Sequence, residues 1–208
     1  MAVGPAVRKM FGPLEKPISD FYRSIFIDLN AFVDQIQEWA PASNILELGC
    51  GEGAVTERLV KSFPKALITG IDITPKVGRL YQGDPSRVTF KQQPIRDFAA
   101  ENAEKFDLLI ISDVMHHIPW EFHNEIMIDA KKVLKPGGYL VMKDWERRPT
   151  FIHLLCYLSD RYLTGDHIRY KSADEFRELI KNAFGENCIQ AEARIRPWSH
   201  NIAFLVKN

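Results

Sequence analysis

Charge of one sign is missing from this chain: its 27 Lys and Arg are balanced by 27 Asp and Glu. A nucleic-acid binder normally carries a basic surplus to offset phosphates, so that class of partner is disfavoured. Cysteine is scarce. Cys50, Cys156 and Cys188 are far apart and odd in number, which argues against a disulfide framework or a short Cys-x-x-Cys zinc pair and favours a reducing compartment. No apolar run approaches the ~20 residues that cross a bilayer. The opening MAVGPAVRKMFGPLEKP also lacks the apolar core of a secretory signal. The compact metal motif His-Glu-x-x-His and a Tyr-x-x-x-Lys acid/base pair do not occur either. The expectation is a soluble cytoplasmic protein, monomer or homodimer, without membrane insertion and without a metal.

What is present is a periodic pattern sized for one substantial core of 208 residues. Phe21, Ile25, Leu29, Phe32, Ile36 and Trp39 recur at three- and four-residue steps. They predict one amphipathic helix from near Ser19 or Asp20 up to the stop at Pro41. Strand and helix patterns then alternate. Strands are expected at 44–48, 66–73, 87–93, 106–112 and 139–145, with helices at 54–63, 75–80, 98–104 and 121–135. Pro149 suits the first turn of a further helix over 149–163. Ser172 and Glu175 form a capping box for one over 172–184. Two last strands joined by the five-residue RPWSH linker predict an antiparallel hairpin. This is an α/β chain with a doubly wound, mostly parallel sheet. It reads as a single domain over 1–208, with a helical cap at 1–40 and a substrate-side helical insert at 146–171.

Residues 45–53 read ILELGCGEG. A strand that stops at Leu48 must turn sharply into the next helix, and glycine permits this without a Cβ clash. Free amides at the helix start favour polar or negative ligand groups. Asp72 closes the next strand, where a carboxylate can accept hydrogen bonds from a ribose diol. The loop satisfies two patterns, Gly49-x-Gly51-x-x-Ala54 of dinucleotide folds and Gly49-x-Gly51-x-Gly53 preceded by Glu47. A nicotinamide-dependent oxidoreductase would need a second glycine-rich strand turn, and none follows residue 145. A non-catalytic partner protein would be marked by lost glycines or a lost acid, yet both are intact.

At this point the sequence resembles the class I S-adenosylmethionine-dependent methyltransferases, especially the small-molecule branch of ubiquinone and menaquinone biosynthesis. The resembling pieces are ILELGCGEG (45–53), ITGIDIT (68–74), PIRDF (94–98), FDLLIISDVMHHI (106–118) and LKPGGYLVMKD (134–144). The resemblance implies a seven-stranded sheet of order 3-2-1-4-5-7-6 with strand 7 antiparallel. It implies S-adenosyl-L-methionine as cofactor and S-adenosyl-L-homocysteine as product. Glu47, Gly49, Gly51 and Gly53, with Cys50 inside the loop, take the place of the seat beneath the methionine and ribose. Asp72 takes that of the ribose acid, with Ile73 against the adenine. Asp97 matches the acid that meets the adenine amino group, a role that can coexist with helix capping, and Ile95 and Phe98 are its apolar neighbours. Ser112 and Asp113 stand where strand four opens toward the methionine end.

Methyl transfer from a sulfonium is an in-line displacement, so a protein mainly aligns the reactants and excludes water. A base is useful when the acceptor must lose a proton, and histidine titrates in the right range. His116 and His117 follow strand four at the ligand-binding edge, and His167 lies in the polar stretch of the insert. These three are the candidate bases, against structural roles for each. His123 reads as surface or capping. Asp113, His116, His117, Asp144 and His167 include metal-donor types, but adjacent histidines coordinate one ion awkwardly. Tyr22, Phe26, Trp145, Arg169 and Tyr170 are the candidate acceptor-binding residues, with core packing as the competing use of the aromatic ones. SDVM stands where DNA amino-methyltransferases carry Asp/Asn-Pro-Pro-Tyr/Phe, which argues against base methylation. Small-molecule O-methylation leads, with C- or N-methylation open.

Overall fold

Asn44–Leu48 (β1) and Phe106–Ser112 (β4) are short, mostly apolar strands buried on both faces, and they lie at the centre of the sheet. The computed structural model describes residues 12–164 and 168–208. Flanking strands are Leu67–Asp72 (β2), Val88–Gln92 (β3), Leu134–Trp145 (β5), Ile189–Arg194 (β6) and Asn201–Lys207 (β7), in the order β3-β2-β1-β4-β5-β7-β6. β1 pairs in parallel with β2 and β4, β2 with β3, and β4 with β5. β7 runs antiparallel to both β5 and β6. The expected sheet and order are therefore observed.

Alternation along the central strands sends side chains to two cores. Ile45, Leu108, Ile110 and Val141 pack with Phe32, Ile36 and Leu59 from Leu29–Trp39 (α2) and Ala54–Ser62 (α3). Leu46, Leu109, Ile111 and Met142 pack on the other side with Phe98, Met127 and Phe176. Those come from Ile95–Glu101 (α4), His123–Val133 (α5) and Ala173–Phe184 (α7). Both faces are covered, so the carboxyl ends of the parallel strands are left as the edge where polar groups can meet a ligand.

Several expectations need correction. The N-terminal stripe is two helices, Glu15–Phe26 (α1) and α2, because Ile27 is extended and Asp28 caps α2 by accepting from the N–H groups of Asn30 and Ala31 at 3.0 Å. The β6–β7 linker and the first residue of β7 grip this break. Arg196 Nε donates to Asp28 at 2.7 Å, Trp198 Nε1 to Ile25 O at 2.6 Å and Asn201 Nδ2 to Phe26 O at 2.7 Å. Residues 75–80 form turns, not a helix, since Lys76 and Gly78 adopt positive φ. β5 begins at Leu134, but its ladder to β4 jumps from Leu134 to Tyr139 across the Pro136-Gly137-Gly138 turn.

In the insert, Thr150 rather than Pro149 opens the helix Phe151–Ser159 (α6), which continues into a π-helical turn over Asp160–Thr164. Its stripe does not cover the sheet: Phe151, Leu154, Leu155, Leu158 and Tyr162 are exposed, and only Cys156 is buried. The capping box of α7 is present, with Glu175 N–H donating to Ser172 Oγ at 3.3 Å and Ser172 N–H to the Glu175 carboxylate at 2.6 Å. Among the described residues no helix is long and apolar enough to cross a membrane.

Candidate active site

The glycine loop is folded by its own backbone onto the end of β2. The N–H groups of Gly49 and Cys50 both donate to Ile71 O, at 2.8 and 3.2 Å. Gly49, Gly51 and Gly53 all have positive φ, at 75°, 49° and 90°. At Gly49 a Cβ would lie 2.2 Å from Val114 Cγ2, so packing as well as conformation demands glycine there. Gly51 differs. A Cβ built there would meet nothing nearer than Asp72 Oδ2 at 4.0 Å, so the space in front of the loop is open to a ligand. Asp72 faces that space. Its carboxylate accepts from Gly51 N–H and from Thr74 N–H, each at 2.8 Å, which fixes its orientation at the strand end.

Behind the loop Glu47 is buried and accepts from Thr56 Oγ1 at 2.5 Å. Burial pushes its pKa up to about 7, the nearby Asp72 charge adds to that, and the Thr56 hydrogen bond opposes it. Cys50 is buried, and burial with the same two acids holds its thiol protonated, which makes it an inert part of the loop. Ile73 is 73% exposed, an unusual position for an isoleucine, beside Asp72. On α4, Pro94 occupies the N-cap and Asp97 lies exposed in the first turn without a capping bond. Ile95 and Phe98 turn inward from the same helix and join the core.

A line of buried charge runs along the adjacent ends of β4 and β5. Ser112 Oγ donates to Asp113 at 3.2 Å. Asp113 also accepts from Lys143 Nζ on both carboxylate oxygens, at 2.7 and 2.8 Å, and the Lys143 side chain is only 1% exposed. One residue along, buried Asp144 meets His116 Nδ1 at 2.5 Å and accepts from Met115 N–H and Trp145 N–H. His116 Nε2 lies 3.8 Å from Asp160 of the insert. Burial alone would depress the His116 pKa. The Asp144 charge and hydrogen bond overcome it, Asp160 and Asp113 help, and the value is pushed up to about 9. His116 is thus held as a cation at neutral pH, and its charge in turn keeps Asp144 ionised against the cost of burial.

Asp113, His116 and Asp144 bring donor atoms within 4.8 Å of one another, close enough to share one metal ion. Lys143 already neutralises Asp113 there, and His116 neutralises Asp144. His117 packs on His116 with ring centres 4.1 Å apart and is half-buried. His167 lies outside the described residues. His123, expected at the surface, is buried, with Nε2 against Ile118 O at 2.9 Å.

Of the residues expected to bind the acceptor, Tyr22, Phe26 and Trp145 form one aromatic row, while Tyr170 lies against His116 and Arg169 over Trp120. Tyr22 packs edge-on to Phe26, Phe26 to Trp145, and Trp145 stacks on His200 and donates from Nε1 to His153 Nδ1 at 3.0 Å. Tyr170 stacks on His116 at 5.0 Å and donates to Asp160. Trp145 and Tyr170 are buried, whereas Arg169 is exposed. Sequence reasoning gave no positioning role to Thr56, Lys143 or Asp160, and weighed Asp144 only as a metal donor. Lys143 and Asp144 sit beside each other at the end of a strand, and that placement was the available signal.

Residues 40–188 match the methyltransferase-domain family, and the chain belongs to it. It is 32% identical over 145 residues to a ubiquinone biosynthesis O-methyltransferase of Xanthomonas campestris pv. campestris (strain B100), a match covering 68% of this chain and 58% of that protein. The chain thus spans under two thirds of the length of such relatives. Among solved structures it superposes on the S-adenosylmethionine-dependent methyltransferase SibL in its apo form, with TM-score 0.72 and 14% identity. That match covers 87% of this chain and 54% of SibL. It also superposes on the Burkholderia thailandensis 1,6-didemethyltoxoflavin-N1-methyltransferase with bound 1,6-didemethyltoxoflavin and S-adenosylhomocysteine, at TM-score 0.66 and 15% identity, covering 99% and 88%. The fold is the class I methyltransferase fold.

Proposed function

We propose that this protein transfers a methyl group from S-adenosyl-L-methionine to an oxygen of a small organic acceptor and releases S-adenosyl-L-homocysteine. The observation that carries the reading is Asp72. It is an acid oriented by two backbone N–H groups at the end of β2, facing a loop where Gly51 leaves space that any side chain would fill. The bound cofactor would supply an electrophilic methyl group on a sulfonium. Asp72 would accept from its ribose hydroxyls, the glycine loop would let the main chain approach it, and Ile73 and the α4 start with Asp97 would flank its base. The likeness to an O-methyltransferase supports oxygen as the acceptor atom.

The acceptor side follows from the charge line. His116 is pinned between Asp144 and Asp160, so at neutral pH it donates and stabilises negative charge instead of accepting a proton. His117, half-buried against His116, is the remaining base candidate among the described residues. Tyr22, Phe26, Trp145 and Tyr170 give this side apolar walls that exclude water.

Thermal shift tests the donor half. S-adenosylmethionine and S-adenosylhomocysteine at a hundredfold excess over Kd should each stabilise the fold by about 2.7 kcal/mol. NAD should have no effect, and Asp72→Ala should abolish the response. Stabilisation by NAD alone would refute the reading.

A further inference from the structure

Two cations share one indole at the rim of this site. The guanidinium carbon of Arg169 lies 4.4 Å from the Trp120 ring centre, and the Lys171 ammonium 3.9 Å from it. Their place is set by the main chain. Arg169 N–H donates to His116 O at 3.1 Å, and Trp120 follows His117 by three residues, so the group borders the His116 charge line.

Like charges this close repel, and each is stabilised only in part by the ring quadrupole. Lys171 titrates below its usual range. Burial is the main cause, Arg147 and Arg169 add to it, and Glu175 and Glu178 oppose it. Arg147 has its own carboxylate, Glu175, at 3.0 Å. Among the described residues, no carboxylate lies within the 4.0 Å of an ion pair from Arg169 or Lys171. Trp120 Nε1 is a further buried donor with no acceptor. Two cations and an unpartnered indole N–H thus lie together with no carboxylate in ion-pair range among the described residues.

We propose that Trp120, Arg169 and Lys171 form a subsite for a carboxylate carried by the methyl acceptor, which makes the acceptor an organic acid; this rests on the small-molecule methyl-transfer reading above. A carboxylate offers several acceptor lone pairs, enough for the guanidinium fork, the ammonium and the indole N–H together. It would cancel the repulsion that the two cations otherwise carry. The indole ring contacts both cations, and Arg169, whose N–H is bonded to His116 O, sets how far the acid group stands from the reacting oxygen.

Calorimetric titration with 4-hydroxycinnamate and its methyl ester tests this. The wild-type protein should bind the acid about tenfold or more tightly than the ester. Arg169→Gln and Lys171→Gln should each lower the ratio of acid to ester affinity by about tenfold, and Arg169→Lys should retain part of it. Equal affinity for acid and ester, no acid binding up to about 10 mM, or full acid preference in both Gln variants would overturn the proposal. So would loss of acid binding in the presence of saturating S-adenosylhomocysteine, which would assign the subsite to the donor's own carboxylate. A protein that binds the acid and ignores S-adenosylmethionine refutes the methyl-transfer reading. One that binds S-adenosylmethionine and ignores the acid refutes the subsite alone.

Discussion

Glycine is required at two positions of the loop for different reasons, and this separates stability from function. At Gly49 the missing Cβ would overlap Val114, so Gly49→Ala should cost about 2–4 kcal/mol in chemical unfolding through overpacking and a strained φ. At Gly51 the fold leaves room, and only the positive φ of 49° resists a side chain. Gly51→Ala should therefore cost about 1 kcal/mol in stability yet lose most S-adenosylmethionine affinity, measured by titration calorimetry. The two glycines look identical in the string ILELGCGEG. Their positions could be read from the sequence because a strand–turn–helix junction selects glycine wherever the chain bends. Which one leaves space and which one is packed depends on Val114, sixty-five residues away, and no local pattern carries that.

Among the elements, the sheet was the most legible part and the helical additions the least. β1, β2 and β4 are runs of apolar residues ended by a glycine or an acid, a pattern fixed locally by burial on both faces. The N-terminal stripe keeps its helical period straight through Ile27 and Asp28, so periodicity alone joins α1 to α2. The break is imposed from the far end of the chain, where Arg196, Trp198 and Asn201 hold it open. Asp28→Ala should remove both the cap and the Arg196 contact, lowering stability by about 1–2 kcal/mol in urea unfolding. The insert depends equally on distant partners. Tyr170 and Cys156 converge on Asp160, which ties the turn after α6 to His116. Tyr170→Phe should raise amide exchange over 151–164 well before it affects exchange in β1 and β4, with a global loss of only about 1 kcal/mol.

For the molecule as a whole, buried charge sets how stability responds to pH. The folded-state pKa of Glu47 is raised, so its contribution is complete below about 4.5 and is lost as pH rises through about 7. His116 is raised as well; its contribution is complete below about 6.5 and is lost through about 9. Asp144 is lowered, so its share is lost at the acid end. His116 and Asp144 report one shared interaction, and their effects are not added. The unfolding midpoint should therefore fall continuously between pH 5 and pH 9. In the double variant His116→Gln with Asp144→Asn the upper part of that slope should flatten. A steep fall unchanged in the double variant would remove the pair from this role. The titrating groups were visible in the sequence as residue types only. Their pairing depends on β4 and β5 lying side by side, a fact of topology.

The strand order has a further consequence for synthesis on the ribosome. β1 to β5 can pair with one another as they emerge, but β6 reaches the sheet only through β7, which is made after it. Until β7 emerges, the edge of β5 stays open and β6 has no partner. An open apolar edge is a template for other chains. A nascent chain stalled before residue 201 should accordingly be captured by chaperones or aggregate, and addition of β7 should cover the β5 edge and bring β6 onto the sheet in one step.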